Sequence, residues 1–336
     1  MRKTTKGIGI LAFLLLLTSM SLKAQQLPLY SQYMMNRFLI NPAVAGAEGY
    51  TALSLTSREQ WLGYSDSYDG SLGPITNCVT GEMRILKTSF RNKRRSIRSR
   101  VRRRRPSGRV GLGFSVYNDN NGKISRTGFQ GTYAYHLYVR NVQFSMGMSG
   151  IFYQYRANLT AEDFYDPTGS GVANLNKLTT YIPDINIGFY ASTQNWYAGV
   201  SSTQLMQSWV KFGNSTNTDF KLLRHYYAMG GYRYDIDRDF SIEPSAVMTI
   251  TDRLSYTFDI NVRAFYQKDY WLGFSYRTPR SLIMMLGMSY RQYYFGYAFD
   301  YDFSSISTIN RYGTHEVVMG IRFGDNTRRY RWLQRF

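Results

Sequence analysis

The stretch 254–303 constrains the fold most, because four successive runs in it alternate apolar and polar residues. In the first run Tyr256 and Phe258 share one face, whereas Thr257 and Asp259 share the other. Strict alternation predicts β-strands with one apolar face. These runs are roughly ten residues long, with aromatic residues near their ends and short polar turns between them, as in transmembrane β-barrels. The strands of a soluble antiparallel sandwich also alternate, but they are usually only about five or six residues long.

The same alternation continues along the chain and predicts an all-β fold: a transmembrane antiparallel β-barrel of about 14 strands, with an N-terminal plug-like segment. An even number of strands brings both ends of a bacterial barrel to the same side of the membrane. The predicted strands are 50–60, 74–86, 110–118, 124–138, 142–158, 180–192, 196–207, 222–235, 240–251, 254–267, 270–278, 281–291, 293–304 and 315–323.

Residues 1–24 resemble a secretory signal peptide. Arg2 and Lys3 begin a basic region, Ile8–Leu17 is apolar, and Ala24 is suited to cleavage. The apolar run is too short for a membrane-spanning helix. No other apolar run in the sequence is longer than this one. An exported chain of this kind would therefore cross a membrane as a closed barrel. We therefore expect the bacterial outer membrane, with its lipid around the barrel.

Residues 25–49 do not alternate. They mix apolar residues with Asn, Gln and Pro, and they are too apolar to form a free tail. We interpret them as a segment that lies at or in the periplasmic mouth of the barrel. The barrel itself is assigned to residues 50–323, and residues 324–336 form a basic periplasmic tail.

The connection 87–109 departs from the expected pattern. With a periplasmic N-terminus, alternate connections are extracellular and long, and the others are short. The connections at 61–73, 159–179, 208–221 and 305–314 are long and fall on the extracellular side. By the same parity residues 87–109 are periplasmic, yet they are long and rich in arginine.

The positive charge of the chain is concentrated in two segments. The whole sequence has a net charge of +19, and the signal peptide carries four of its basic residues. The connection 87–109 holds twelve basic residues and no acidic one, and the tail holds a net three, which leaves the rest of the chain neutral. Nucleic acid is a common partner of such runs, but export makes it unexpected here.

An acidic protein partner in the periplasm is one reading of this charge, and unspecific contact with phosphate or lipid headgroups is the other. The candidate partner-binding residues are Arg94, Arg95, Arg98, Arg100, Arg102, Arg103, Arg104, Arg105, Arg328, Arg329 and Arg331.

Catalytic and metal-binding patterns are weak. The chain has three histidines, at positions without metal-ligand spacing, and one cysteine, Cys78. We therefore expect a protein that is not an enzyme and has no cofactor. Charged residues on inward-facing positions either pair and fill the lumen or line a solute channel. They are Asp259, Arg263, Arg277, Arg291, Asp300, Asp302, Glu316 and Arg322.

Two blocks near the N-terminus closely resemble the PorP/SprF family of Bacteroidetes outer-membrane proteins. The sequence from His315 to Phe323 also looks like the usual end of the family, whereas the arginine-rich insert departs from it. The residues that carry the resemblance in the two blocks are Pro28, Tyr30, Ser31, Gln32, Tyr33, Asn36, Asn41, Pro42, Ala43, Gly46, Arg58, Gln60 and Trp61.

The resemblance implies a role with the type IX secretion system and with gliding motility. PorP-like members are implied to link the secretion apparatus to the outer membrane. SprF-like members are implied to secrete or anchor a large surface adhesin through its C-terminal domain, and the basic connection fits this side slightly better. The alternative function is an outer-membrane transporter or channel for a small solute. An outer-membrane enzyme is a weaker alternative.

Overall fold

The fold is a closed antiparallel barrel, seen in a computed structural model that describes residues 30–63, 65–66, 70–71, 73–85, 109–122, 124–157, 178–207, 209–210, 220–303 and 312–323. Within these ranges there are fourteen long strands, and each pairs with its neighbours along the chain. They are β1 Thr51–Glu59, β2 Ile75–Ile85, β3 Val110–Asn121, β4 Ile124–Val139, β5 Val142–Ala157, β6 Leu178–Ser192, β7 Trp196–Thr203, β8 His225–Tyr232, β9 Phe240–Thr251, β10 Tyr256–Tyr266, β11 Tyr270–Arg277, β12 Ser281–Tyr290, β13 Tyr293–Asp302 and β14 Thr314–Phe323.

The first and last strands pair with each other and close the barrel. The register of β1 against β14 runs from Thr51 opposite Phe323 to Glu59 opposite His315. Closure leaves no open sheet edge, which the membrane requires because lipid cannot bond to free backbone groups. The predicted fourteen-strand barrel is confirmed, and the ends of its strands differ from the prediction by four residues at most.

Several short elements complete the described chain. Before β1 there are two 3-10 turns, Arg37–Leu39 and Pro42–Val44. Two small hairpins lie between long strands, and one two-residue strand continues the pairing of β8 with β9. These short strands are Ser65–Asp66 with Gly70–Ser71, Trp209–Val210 with Phe220–Lys221, and Tyr234–Asp235.

The two faces of the wall differ as the alternation predicted. On β12, Leu286 points outward and is half exposed, whereas Met285 is buried on the inner side. Inward charges such as Arg263 and Glu316 are buried as well. The expectation for Arg291 is wrong, because this residue is exposed in the turn after β12 with a φ of 56°, where strand alternation no longer applies.

The barrel has two distinct ends. At the short-turn end, the connections Arg140–Asn141, 193–195, 267–269 and 291–292 join neighbouring strands. The opposite end, called the long-loop end, carries longer connections such as 60–74. In bacterial outer-membrane barrels the short turns face the periplasm. The short-turn end also holds the end of β2, the start of β3 and the end of β14.

Three predicted segments fall outside the described residues. They are the signal peptide 1–24, the tail 324–336 and most of the arginine-rich connection, of which Arg109 is described and exposed. Among the residues that are described, no helix is long and apolar enough to cross a membrane.

A charge on the outer wall is expected to destabilise the barrel. Leu286→Arg should lower the free energy of unfolding in lipid by about 2–4 kcal/mol, because a guanidinium near the bilayer midplane loses its hydration. The measurement is a denaturant titration of the barrel in lipid vesicles. Gln292→Arg, in an exposed turn, is the control and should leave stability within about 0.5 kcal/mol of the parent. Equal stability of the two variants would contradict an outward-facing Leu286.

Candidate functional site

Residues 30–49 lie inside the barrel and form the centre of its hydrophobic core. Met34 and Ala43 are fully buried, and Phe38 is almost so. We call this segment the plug (residues 30–49). The lumen is thus occupied by an apolar protein segment rather than by water. It packs in one cluster against inward side chains of the wall, which include Tyr190, Tyr197, Phe265, Trp271, Ile283 and Met285.

The plug runs along the lumen from the long-loop end to the short-turn end. Ser31 and Gln32 bind Glu316, which lies near the start of β14 at the long-loop end. At the other end the N–H group of Gly46 donates to Glu82, close to the end of β2. The sequence suggested a segment at or in the periplasmic mouth, and the described residues extend from there along the lumen.

Buried charges hold the start of the plug, in a cluster that we call the latch (Ser31, Gln32, Arg58, Asp300 and Glu316). The N–H groups of Ser31 and Gln32 donate to the Glu316 carboxylate at 2.7 and 2.8 Å. The Ser31 hydroxyl donates to Asp300 at 2.6 Å and accepts from Arg58. The Arg58 guanidinium lies 2.7 Å from Asp300 and 3.1 Å from Glu316. Hydrogen bonds to ionised groups are stronger than neutral ones, so the latch fixes this part of the plug.

The latch lies on the seam where the barrel closes. Arg58 of β1 and Glu316 of β14 are direct partners across this seam. One ion pair therefore joins the first strand to the last, and the same carboxylate holds the plug. Loss of one partner from such a buried pair leaves an uncompensated charge and costs about 3–5 kcal/mol.

Arg277 extends the latch along the wall. Its Nη2 donates to the carbonyl oxygen of Tyr30 at 3.0 Å and lies 2.7 Å from Asp259. Its Nη1 is 3.9 Å from Asp300. Asp300 and Arg277, both expected to face inward, therefore lie close together on the inner wall, on strands separated only by β12.

Asparagine side chains hold the middle of the plug. The Asn36 amide donates to the Thr80 hydroxyl at 2.7 Å. The Asn41 amide nitrogen donates to the carbonyl oxygen of Phe189 at 3.0 Å, and its oxygen caps the turn Pro42–Val44 by accepting from the N–H of Ala43 at 2.9 Å. These contacts satisfy buried polar groups of the plug without water.

Tyr33 and the last residues of the plug are also held by the wall. Asn261 donates to the Tyr33 hydroxyl at 3.0 Å. Nearer the short-turn end, a ring nitrogen of His136 lies 3.0 Å from the carbonyl oxygen of Ala45.

Two inward-facing glycines allow the backbone of the plug to approach the wall. A Cβ atom at Gly147 would overlap the backbone between Pro42 and Ala43. A Cβ atom at Gly188 would overlap the Asn41 side chain. Any larger residue at either position would push the plug away from the wall.

The structure brings most residues of the sequence motif to the plug and its latch. Gln60 and Trp61 lie instead at the long-loop end, where the Trp61 indole donates to Asp302 at 3.3 Å. Pro28 lies outside the described residues, as do the eleven arginines proposed for partner binding. The motif residues in the plug and latch are Tyr30, Ser31, Gln32, Tyr33, Asn36, Asn41, Pro42, Ala43, Gly46 and Arg58.

Sequence reasoning found the charges but missed their role. Asp300 and Glu316 were expected in the lumen, yet their contacts with the plug were not foreseen. Gly147 and Gly188 were missed altogether. Glycine at inward-facing strand positions was the available signal, because it marks a close approach of another chain segment.

The described lumen is built for packing. In the parts of the chain that are described, no group of three or more His, Cys, Asp or Glu side chains could hold a metal ion. The charged groups of the latch instead bind one another and the plug backbone. This arrangement ties the plug to the closing seam inside the lumen.

Comparison with known proteins identifies the family. The family model described as "Type IX secretion system membrane protein PorP/SprF" matches residues 22–321. The chain belongs to the PorP/SprF family. It is therefore an outer-membrane barrel of the type IX secretion system, and the family resemblance noted in the sequence is confirmed. The match does not separate PorP-like from SprF-like members.

Several solved structures of membrane proteins are similar to this chain at low sequence identity. The chain is 9% identical to Omp33 of Acinetobacter baumannii, with 82% of this chain and 97% of that one covered and a TM-score of 0.42. It is 10% identical to a FadL homologue of Pseudomonas aeruginosa, with 88% and 94% covered and a TM-score of 0.43. The toluene transporter TodX of P. putida is 9% identical, with 84% and 90% covered and a TM-score of 0.43. No curated protein matches the chain.

A methyl group on the inner wall should displace the plug. Gly147→Ala is expected to lower the free energy of unfolding by about 1–3 kcal/mol, because its Cβ overlaps the plug backbone. Hydrogen exchange of the plug should increase in the same variant. Gly150→Ala is the control on the same strand, since a Cβ atom there meets nothing within 4 Å. Unchanged exchange in Gly147→Ala would contradict this packing.

Proposed function

We propose that this chain is a non-enzymatic outer-membrane barrel that docks or anchors partners of the type IX secretion system. In this role it supports the secretion or surface attachment of a gliding-motility adhesin through the C-terminal domain of the adhesin. The plug, held by the latch inside the lumen, is the observation that carries the proposal. Because a fixed protein segment occupies the lumen, partner binding at the ends of the barrel is favoured over transport of a solute through it.

The distribution of charge supports a working surface at the short-turn end. β2 ends and β3 begins at this end, so the arginine-rich connection leaves and rejoins the barrel there. β14 also ends there, and the basic tail follows it. The sequence places fifteen net positive charges in these two segments and none in the rest of the chain after the signal peptide. An acidic partner surface in the periplasm is the chemistry that fits this charge.

The two family roles differ in the partner that this surface would hold. A PorP-like role predicts periplasmic components of the secretion apparatus. An SprF-like role predicts the C-terminal domain of a large adhesin, and the long basic connection makes this role the slightly favoured one. The resemblance of the chain to the family supports both roles, and the identity of the recovered partner separates them.

The plug should keep the barrel closed to ions. In planar bilayers the parent protein is expected to show no stable open state. Arg58→Met should produce intermittent conducting states, because Asp300 and Glu316 lose their shared cation and the start of the plug is released. Arg126→Met is the matched control, since Arg126 pairs with Asp119 at 3.0 Å and has no contact with the latch. A stable open pore in the parent protein would favour the solute channel instead.

Partner binding should depend on the arginines of the connection. Replacement of the eight arginines between 94 and 105 by glutamine keeps the length of the segment and removes its charge. We expect at least a tenfold loss of partner recovered by affinity purification from native membranes, together with a loss of surface adhesin. The physical reason is the loss of attraction to an acidic surface, so recovery from the parent should also fall as salt rises.

A matched control removes positive charge from the other end of the barrel. Arg253→Gln and Arg280→Gln change exposed residues at the long-loop end and should leave recovery within about twofold of the parent. Full recovery of partner and normal secretion with the glutamine connection would refute the docking proposal. If the arginines of the connection bind only lipid headgroups, the glutamine variant should lose binding to vesicles while the partner is still recovered.

A further inference from the structure

The outer wall carries an apolar groove between β6 and β9, on the side that faces lipid. Its volume is about 320 Å³, which is at the lower end of the roughly 300–1,000 Å³ of ligand pockets. It lies on the half of the barrel towards the long-loop end, because β8 begins at this end with His225. Residues that shape the groove include Phe189, Val200, Ser202, Tyr226, Ala228 and Met248.

Small residues on two neighbouring strands, β7 and β8, create the groove. Ala228 stands between Val200 of β7 and Met248 of β9 in the sheet register. Ser202 stands between Ile187 of β6 and Tyr226 of β8. Their short side chains leave a recess, and the larger neighbours on either side form its walls.

One hydroxyl in this recess has no partner. Ser202 is 8% exposed and lines the groove, and its Oγ has no hydrogen-bond partner among the described residues. A buried hydroxyl without a partner is unfavourable, and hydrocarbon offers none. The groove therefore combines an apolar surface with a buried donor in its lining that lacks a partner, which points to a ligand that has an apolar chain and an acceptor oxygen.

The position of Ser202 narrows the class of ligand. It is the last residue but one of β7, and its partner across the sheet is Tyr226, near the long-loop end. Tyrosines on barrel walls collect where hydrocarbon meets the headgroup region. At this depth a membrane lipid has the ester or amide carbonyl that links each acyl chain to the headgroup region. Closer to the bilayer midplane the lipid has only the acyl chain itself.

We propose that the groove binds one acyl chain of an outer-leaflet lipid, whose linking carbonyl accepts a hydrogen bond from Ser202. The chain lies along Val200, Ala228 and Met248, and the headgroup stays at the membrane surface. A second copy of the barrel fits less well, because its wall is convex and cannot enter a recess, whereas a single flexible chain can.

Native mass spectrometry of the full-length protein tests this site with dipalmitoyl phosphatidylglycerol as the probe. The parent should retain one such lipid after detergent exchange. Ala228→Phe fills the recess and should reduce the retained lipid at least tenfold. Ala264→Phe is the matched control, because Ala264 is an outward-facing alanine of β10 away from the groove, and it should retain lipid as the parent does.

The ether-linked analogue of the same lipid tests the role of Ser202. This analogue has the same chains and headgroup but no carbonyl, so the parent should bind it about fivefold more weakly than the ester, the equivalent of one hydrogen bond. Ser202→Ala should bind both lipids equally. Heat-modifiable migration on gels, together with circular dichroism, shows whether each variant has folded.

Several outcomes would overturn the proposal. No retained lipid in the parent would do so, as would equal retention in Ala228→Phe and Ala264→Phe. A preference for the ester that survives in Ser202→Ala would exclude the hydrogen bond and with it the proposed pose. A dimer of the parent that Ala228→Phe converts to monomer without any bound lipid would identify a second copy as the occupant.

Discussion

Backbone hydrogen bonding in lipid is the constraint on which the rest of this structure depends. Hydrocarbon offers no partner for free N–H and C=O groups, so the strands must close on themselves. Closure with fourteen strands creates an interior that the wall side chains do not fill by themselves. The plug occupies this interior, because Met34, Phe38 and Ala43 supply an apolar core in the lumen. Closure of the barrel thus follows from backbone hydrogen bonding, and the plug occupies the interior that closure creates.

The latch joins closure and filling in one cluster. Arg58 and Glu316 face each other across the seam between β1 and β14, and the Glu316 carboxylate also holds the plug through backbone N–H groups. Buried ion pairs add little net stability compared with apolar packing, but a broken pair is costly. The latch thus penalises any arrangement in which the plug leaves or the seam opens. Its value lies in fixing one arrangement of wall and plug.

The inner and outer surfaces of the barrel and its two ends differ in chemistry. The interior is committed to packing and the outer wall meets lipid, while the strands that flank the arginine-rich connection and precede the basic tail reach the short-turn end. Such a division fits the docking role proposed above, in which the wall positions the ends of the barrel. The groove beside Ser202 and Ala228 adds a feature of the wall itself, an apolar recess of about 320 Å³ on the side that faces lipid.

The sequence by itself determined the strands, their faces and the even number needed for closure, because strand alternation is a local property with a period of two. It also identified the motif from Tyr30 to Gly46 and the inward charges at Asp300 and Glu316. Only the tertiary structure decided what these residues bind. Ser31 and Glu316 are 285 residues apart along the chain, and no local pattern encodes such a pair. The tertiary structure brings Ser31 and Glu316 together, because the plug and strand β14 lie side by side in the folded barrel. This contact also shows that the motif residues hold the plug inside the lumen.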